Sequence, residues 1–327
     1  MSDGTAEGRT PPLILSHLHD APPAAGSGVR YAGYQGDVPV GELDHNTRVA
    51  IDMAAYASRH YGAHVIAFPE LFLSGYALNP TLVRELAEPV DGPHLTRIAE
   101  AAAEHGIAIV CPYPERATQY GTTHYYDAIA VFGPDGGLRV NYRKTHLYGK
   151  AERENFSAGN GPFPQVRLND FPIGLLNCYE AEFAELPRIQ AVKGAKFVII
   201  PTAADHYYEL PDGKRTPIPY PDVSTNLIPA QAYMNELFIA YCNYTGYEQV
   251  GRKSWHLRGN SVLADPHGKL PLQAPHDREC LLVADVVPDD YGPTHPEGDY
   301  LKDRRPGLYQ ELIAAAPGFD DGYTYGS

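Results

Sequence analysis

The middle of the chain repeats one pattern of apolar and polar positions. Two segments carry apolar residues at the i, i+3, i+4 spacing of a helix with one buried face, at positions 95, 98, 99, 102 and 103 and at positions 50, 51, 54 and 55. Each is followed by a glycine, a short apolar run and a proline, and a third such glycine-to-proline unit spans residues 194–201. Strands that are apolar throughout and fed by helices predict a sheet whose faces are both buried, with helices covering it.

Other segments predict antiparallel strands and set the limits of the domain. The runs 125–132 and 138–142 flank a Gly-Pro-Asp-Gly turn and read as a hairpin. The chain is therefore predicted to be α+β, with roughly 10 to 12 strands. Residues 1–28, rich in Gly, Pro and Ala, are expected to form a flexible N-terminal arm. Residues 29–290 are expected to form one domain and 291–327 a C-terminal extension.

Charge and composition narrow the class of protein. The 327 residues include 26 Lys and Arg against 40 Asp and Glu, a net charge of −14. Such a chain is a poor partner for nucleic acid or an anionic membrane surface, which both attract clustered cations. No apolar run approaches the ~18 residues of a membrane span, and the first residues lack the features of a signal peptide. Four cysteines are too few for a disulfide framework, so we expect a cytoplasmic protein.

Several familiar motifs are missing from the sequence. It contains no phosphate-binding loop and no dinucleotide-binding glycine pattern. It also lacks the H-E-x-x-H and C-x-x-C zinc patterns and the G-x-S-x-G nucleophile elbow. These observations give no reason to expect a nucleotide, a metal ion or a serine nucleophile.

Four residues at predicted strand ends or loops could carry chemistry. Cys178 lies between an apolar run and a helical segment, where backbone N–H groups can lower a thiol pKa and bind an oxyanion. A buried structural cysteine is the commoner alternative. Glu70 follows a buried run, where a carboxylate is costly unless it is paired or used, although a helix cap would also explain it. Lys144 ends a hairpin strand and Glu152 lies in a charged loop, and such residues are usually solvated.

Taken together, these residues resemble the Glu-Lys-Cys triad of the nitrilase superfamily, the carbon–nitrogen hydrolases. Three motifs in the family's order carry the resemblance: FPELFLSGY at 68–76, YRKTHLYG at 142–149 and NCYEAEFAE at 177–185. The similarity extends over residues 29–285. Within the superfamily, the second and third motifs look most like the amidase branch that contains 5-aminopentanamidase and the R-stereoselective amidases.

The resemblance implies a mechanism and a fold. Cys178 would be the nucleophile and Glu70 the general base, while Lys144 and the backbone N–H of Tyr179 would stabilise the oxyanion. Glu152 would be the second glutamate, which orients the lysine. The residues expected to contact the substrate are Tyr76, Tyr179, Glu182 and Thr202. The implied fold is a four-layer α-β-β-α sandwich of two mixed sheets. No metal or organic cofactor is required, the partner is a small amide, and a homodimer or higher homo-oligomer is expected.

Departures from the family pattern leave the substrate open. Asp127 stands where an Asn is usual, Ala184 where a Pro is usual, and Ala204 where this branch often has Asn. The Tyr- and Pro-rich segment 205–223 could be an aromatic rim of the pocket or a surface loop. Glu182 and the net charge favour an uncharged or cationic amide, such as an ω-amino amide. Nitrile hydrolysis, N-carbamoyl cleavage, acyl transfer to an amine and a non-catalytic scaffold are the alternative functions.

Overall fold

A computed structural model describes residues 12–37, 39–209, 214–219, 222–251 and 253–314. The helices are α1 (Leu43–Tyr61), α2 (Pro80–Leu86), α3 (Pro93–His105), α4 (Gly149–Asn155), α5 (Glu185–Val192) and α6 (Val223–Asn235). In this part of the chain, none of the helices has both the length and the apolar character that crossing a membrane would need.

Most of the strands are short, and most follow the predicted apolar runs. They are β1 (Leu13–His17), β2 (Val29–Gln35), β3 (Val65–Ala67), β4 (Ala108–Gln119), β5 (Thr122–Phe132), β6 (Leu138–Arg143), β7 (Gln165–Leu168), β8 (Phe171–Leu175), β9 (Phe197–Pro201), β10 (Tyr207–Glu209), β11 (Arg215–Pro219), β12 (Phe238–Cys242), β13 (Thr245–Val250), β14 (Lys253–Arg258), β15 (Val262–Ala264), β16 (Leu272–Gln273) and β17 (Cys280–Val286).

Two sheets of mixed direction contain most of these strands. The larger has the order β1-β17-β2-β3-β4-β5-β6 and the smaller the order β16-β15-β12-β9-β8-β7. The glycine-to-proline units supply β3, β4 and β9, which belong to the parallel parts of the two sheets, β2-β3-β4 in one and β8-β9-β12 in the other. The predicted hairpin is confirmed as the antiparallel pair β5-β6, and β13-β14 and β10-β11 form separate hairpins.

Alternate side chains of each central strand enter different layers. Val65 and Ala67 of β3 belong to the apolar core between the two sheets, whereas Ile66 packs in the core beneath α1 and α3. In the smaller sheet, Phe197 faces the other sheet while Val198 packs in the core that holds α5 and α6 residues. Both faces of the strands are therefore buried, which explains their unbroken apolar runs. The expected α-β-β-α sandwich is confirmed.

The structure differs from expectation near the N-terminus. Residues 13–17, placed in a flexible arm by the sequence analysis, form β1, which pairs in parallel with residues 280–284 of β17. The physical reason is that β17 would otherwise present an unpaired edge, and a five-residue segment is long enough to cover it. Residues 1–11 of the arm and residues 315–327 of the C-terminal extension lie outside the described residues. The division at residues 28 and 290 stays a prediction.

Pro112, the proline after the apolar run that begins at residue 107, does not end its strand. β4 continues through this proline to Gln119. β3 pairs only with residues 108–110, so the ring nitrogen of Pro112 faces a position that the neighbouring strand does not reach. The carbonyl of Pro112 accepts a hydrogen bond from the loop residue Leu73 instead. The extended β4 pairs with a similarly long antiparallel strand, β5, and β5 carries part of the site described next.

Candidate active site

The ends of strands from both sheets meet at one rim of the sandwich. Glu70 comes three residues after β3, Lys144 directly after β6, and Cys178 begins a 3₁₀ turn after β8. The backbone N–H of Glu70 donates to the carbonyl of Thr202, directly after β9, across a distance of 3.3 Å. Glu152 reaches the same place from α4. The structure thus brings together all four residues that the sequence analysis selected as catalytic.

Lys144 lies at the centre of this group. Its Nζ donates to Oε1 of Glu70 at 2.5 Å and to Oε2 of Glu152 at 2.7 Å. The side chains of Glu70 and Lys144 are fully buried. Burial disfavours the ammonium form, but the charges of Glu152 and Glu70 outweigh it and raise the pKa of Lys144 well above its usual range. The lysine is therefore a buried cation with one N–H left for a further acceptor.

Glu152 is held from its other side by Tyr76. The hydroxyl of Tyr76 donates to Oε1 of Glu152 at 2.8 Å, and the backbone N–H of Tyr148 donates to Oε2 at 2.8 Å. The backbone of Tyr76 is in turn anchored by the buried Glu248, whose carboxylate accepts its N–H at 2.9 Å. Burial raises the pKa of Glu248 to about 7. Tyr76, expected at the substrate, is thus placed against the second glutamate, and its contact with a substrate stays a prediction.

The thiol of Cys178 lies at a strained turn. Its backbone has φ 48°, a left-handed conformation that costs a non-glycine residue about 1–2 kcal/mol. The hydroxyl of Thr202 lies 3.0 Å from Sγ and 3.0 Å from the hydroxyl of Tyr241. Tyr241 can donate to Thr202, which leaves the proton of Thr202 for the sulfur. Cys178 retains 9% exposure as a residue, whereas Glu70 and Thr202 are fully buried.

The protonation of this thiol departs from the sequence-based expectation. Backbone N–H groups at the turn were expected to lower the pKa of Cys178. Instead, burial and the charge of Glu70 raise the pKa of Cys178 well above its usual value, although Lys144 opposes them. The resting thiol therefore keeps its proton at neutral pH and needs a base to become a nucleophile.

Glu180 ties the lysine motif to the cysteine motif. Its carboxylate accepts from the hydroxyl of Tyr142 at 2.7 Å, from the backbone N–H of Thr145 at 2.7 Å and from that of Asn177 at 2.8 Å. These residues flank the lysine and the cysteine. The sequence analysis assigned no role to Glu180, and its place inside the cysteine motif was the only available signal.

Asp127 of β5 is a further buried carboxylate in the cluster. Its Oδ1 accepts from the side-chain amide of Asn177 at 2.9 Å, and its Oδ2 lies 3.5 Å from Nζ of Lys144. The sequence analysis noted this residue only as a departure from the family pattern. Carboxylate oxygens of Glu70, Asp127 and Glu152 lie within 4.8 Å of one another, a spacing that a hard cation could use. The ammonium of Lys144 already lies among these oxygens, so the cluster has its cation built in.

Aromatic side chains cluster around Tyr179, the residue that follows Cys178. The ring of Tyr179 lies 5.2 Å from that of Tyr148 and 5.0 Å from that of Phe183. Glu182 is half-buried beside them. Burial is the largest cause that raises the pKa of Tyr148 to about 12, and the charges of Cys178 and Glu182 add to it. Tyr179 and Glu182 are half-buried and Thr202 is fully buried against the sulfur, and the contacts of all three with a substrate stay predictions.

The segment 205–223 lies partly outside the described residues. Its described strands β10 and β11 form an antiparallel hairpin. The two interpretations of this segment therefore both stay open. The remaining cysteines, Cys111, Cys242 and Cys280, are free and buried.

One protein family and several known proteins are similar to this chain over most of its length. Residues 30–296 match the family described as carbon-nitrogen hydrolase. A protein of Pseudomonas protegens described as "Hydrolase in pqqF 5'region" is 37% identical over 76% of this chain and 81% of its own length. An (R)-stereoselective amidase of Pseudomonas sp. is 32% identical over 74% of this chain and 79% of its own.

One similar protein has a solved structure with a covalently modified active-site cysteine. A Glu-to-Gln variant of the amidase from Nesterenkonia sp. AN1 carries the acetamide moiety of fluoroacetamide covalently at its active-site cysteine. Its TM-score against this chain is 0.68 at 26% identity, and the match covers 88% of this chain and 98% of that one.

The contact between Thr202 and the sulfur generates a test on the thiol itself. Thr202→Val removes the hydroxyl that supports the thiolate, and a hydrogen bond to a charged group contributes about 1.5–3 kcal/mol. We expect the rate at which iodoacetamide alkylates Cys178, measured by intact mass, to fall by at least about tenfold. Thr202→Ser keeps the hydroxyl and should react within about threefold of the unmodified protein. Equal rates for the Val and Ser variants would show that the contact does not support the thiolate.

Proposed function

The chain belongs to the carbon–nitrogen hydrolase family and hydrolyses non-peptide C–N bonds, and we propose that it is an amidase that converts a small carboxamide to carboxylate and ammonia. One observation carries the proposal: a protonated thiol belongs to the same charge cluster as a buried ammonium that two glutamates hold in place. This arrangement combines a nucleophile, a base and an electrophilic cation in one buried cluster.

In the first half of the reaction, Sγ of Cys178 attacks the amide carbon while Glu70 takes the thiol proton. The carbonyl oxygen becomes an oxyanion, which the third N–H of Lys144 and the backbone N–H of Tyr179 stabilise. Glu70 then passes its proton to the amide nitrogen, the C–N bond breaks, and ammonia leaves. A thioester on Cys178 remains, and Glu70 is again a carboxylate.

In the second half, Glu70 takes a proton from a water molecule whose oxygen attacks the thioester carbon. The same oxyanion contacts stabilise the second tetrahedral intermediate. Its collapse breaks the C–S bond, releases the carboxylic acid product and returns the proton to the sulfur. Glu152 takes no proton in this sequence: with Tyr76 behind it, its role is to keep Lys144 in position.

A substrate panel with a matched cysteine variant tests this function. We expect ammonia release from short aliphatic amides, and Cys178→Ala should lower kcat/KM by more than about 10³-fold because the nucleophile is lost. Cys111→Ala removes another buried cysteine outside the site and should remain within about threefold of the unmodified enzyme.

The panel also includes the corresponding nitriles, N-carbamoyl amines and an amine acceptor with the amide. Turnover of one of these in place of amides would reassign the reaction within the family. Amide turnover that survives in Cys178→Ala would refute the mechanism.

We infer that the preferred amide is neutral or carries a cationic tail, as an ω-amino amide does. Glu182 is half-buried, four residues along the turn that Cys178 begins. Its charge acts on both Tyr148 and Tyr241, and the charge of Cys178 acts on the same two tyrosines. A carboxylate in such a partly desolvated position attracts an ammonium and repels an acidic tail.

A charge-neutral substitution separates this specificity from catalysis. Glu182→Gln should raise KM for an ω-amino amide by about tenfold, the effect of one partly screened ion pair, with kcat/KM for propionamide changed by less than about threefold. The exposed Glu185→Gln, three residues further on, is the control and should leave both substrates unaffected. A preference for acidic amides in the unmodified enzyme would contradict the assignment.

We also propose that the chain works as a homodimer or higher homo-oligomer in the cytoplasm. Exposed apolar side chains on the C-terminal turns, Leu308, Leu312 and Ile313, support an interface there. Four free cysteines support a reducing compartment. Light scattering should give at least twice the 35.8 kDa chain mass, and Ile313→Lys should lower it; a monomer at working concentration would refute the oligomer.

A further inference from the structure

The charges buried around Lys144 do not balance. Carboxyl groups of Glu70, Asp127 and Glu152 surround one ammonium, so the cluster would carry a net charge of −2 if all of them were ionised. Asp127 is fully buried on β5, and Glu70 is equally inaccessible. Excess like charge at this depth is removed by binding a proton, as it is when two carboxylates share one site.

Two oxygen atoms in the cluster are the candidates for binding that proton. Oε2 of Glu70 and Oδ2 of Asp127 are both buried and have no hydrogen-bond donor among the described residues. The other oxygen of each carboxyl group does have a donor: Oε1 of Glu70 accepts from Lys144, and Oδ1 of Asp127 accepts from Asn177. The 3.5 Å between Oδ2 and Nζ exceeds the 2.7–2.9 Å typical of a charge-assisted hydrogen bond.

Oxygens of the two carboxyl groups lie within 4.8 Å of each other, and one proton held between Oδ2 and Oε2 would satisfy both atoms. We propose that Asp127 is a neutral carboxylic acid in the resting enzyme and donates its Oδ2 proton to Oε2 of Glu70, which makes Asp127 a positioning residue for the general base. The inference rests on the proposed role of Glu70. The proton stays on Asp127 throughout the reaction, and the cluster then carries a charge of −1.

The electrostatic surroundings agree with this geometry. Burial, followed by the charge of Glu70, raises the pKa of Asp127 well above its usual value, with Lys144 opposing. The titratable and charged groups that face Asp127 are Glu70 from the loop after β3, Lys144 after β6, Glu152 on α4 and Tyr244 after β12. Lys144 is the single cation among them, and its charge is shared by Glu70 and Glu152.

The arrangement has a consequence for catalysis. One oxygen of Glu70 is held by Lys144 and the other by Asp127, so the carboxylate cannot rotate, yet each oxygen keeps a lone pair for the thiol proton. Asp127 also holds Asn177, the residue before the nucleophile. It therefore fixes the base and the nucleophile relative to each other, across β5 and the turn after β8.

Infrared spectroscopy tests the protonation state without any turnover. In difference spectra at neutral pH, Asp127→Asn should remove the carbonyl stretch of a neutral carboxylic acid. Asp285→Asn is the matched control, because Asp285 is a buried carboxylate paired with Arg30 at 2.7 Å, and it should remove only a carboxylate band. Loss of a carboxylate band in Asp127→Asn would overturn the proposal.

A measurement on the unmodified protein covers the case in which the variant does not fold. Labelling every aspartate with ¹³C should shift the acid band at neutral pH, and the absence of a shifted acid band would overturn the proposal. Both readouts are independent of amidase activity, so they remain decisive if the proposed function fails.

The positioning role is tested by rescue with the isosteric amide. Asp127→Ala removes the donor to Glu70 and should lower kcat by at least about tenfold with little change in KM. Asp127→Asn supplies an N–H to Glu70 and an oxygen to Asn177, so it should restore kcat to within about threefold of the unmodified enzyme. Full activity in Asp127→Ala, or no rescue by Asn, would refute the positioning role. If no amide is turned over, the iodoacetamide rate of Cys178 replaces kcat.

Discussion

The burial of one ammonium group constrains the whole site. Lys144 is fully buried at the rim of the sandwich, where an unpaired charge would be prohibitively costly. Its two short contacts to Glu70 and Glu152 remove that cost, and each glutamate must then be held by further residues. Tyr76 holds Glu152, and Glu248 holds the backbone of Tyr76. The position of the lysine therefore depends on contacts that extend as far as the β13-β14 hairpin.

The two sheets are joined chemically as well as by apolar packing. Glu180 binds the residues next to Lys144 and next to Cys178, and Asp127 reaches Asn177 from the hairpin strand. These contacts hold a nucleophile whose backbone is strained. Strain at a catalytic turn persists when surrounding contacts over-determine it, as they do here. The position of the sulfur is therefore a property of the network rather than of the turn alone.

The protonated thiol explains how such a nucleophile coexists with nearby carboxylates. A resting thiolate beside Glu70 would add one more anion to a cluster that already has an excess of them. Keeping the proton on sulfur avoids this repulsion, and the thiolate character develops only as the proton moves to Glu70. The cationic Lys144 opposes the repulsion and lies where negative charge develops next.

The sequence by itself determined the helix-to-strand units, the hairpin and the residues Glu70, Lys144 and Cys178, because local periodicity and short motifs carry this information. Only the tertiary structure decided the direction of the pKa of Cys178, the contact of Tyr76 with Glu152, and the position of Asp127 beside Glu70. It also decided that residues 13–17 form an edge strand. Each of these depends on which charged groups and strand edges from distant segments come together in the folded chain. The local spacing of residues does not encode that proximity or the burial that accompanies it.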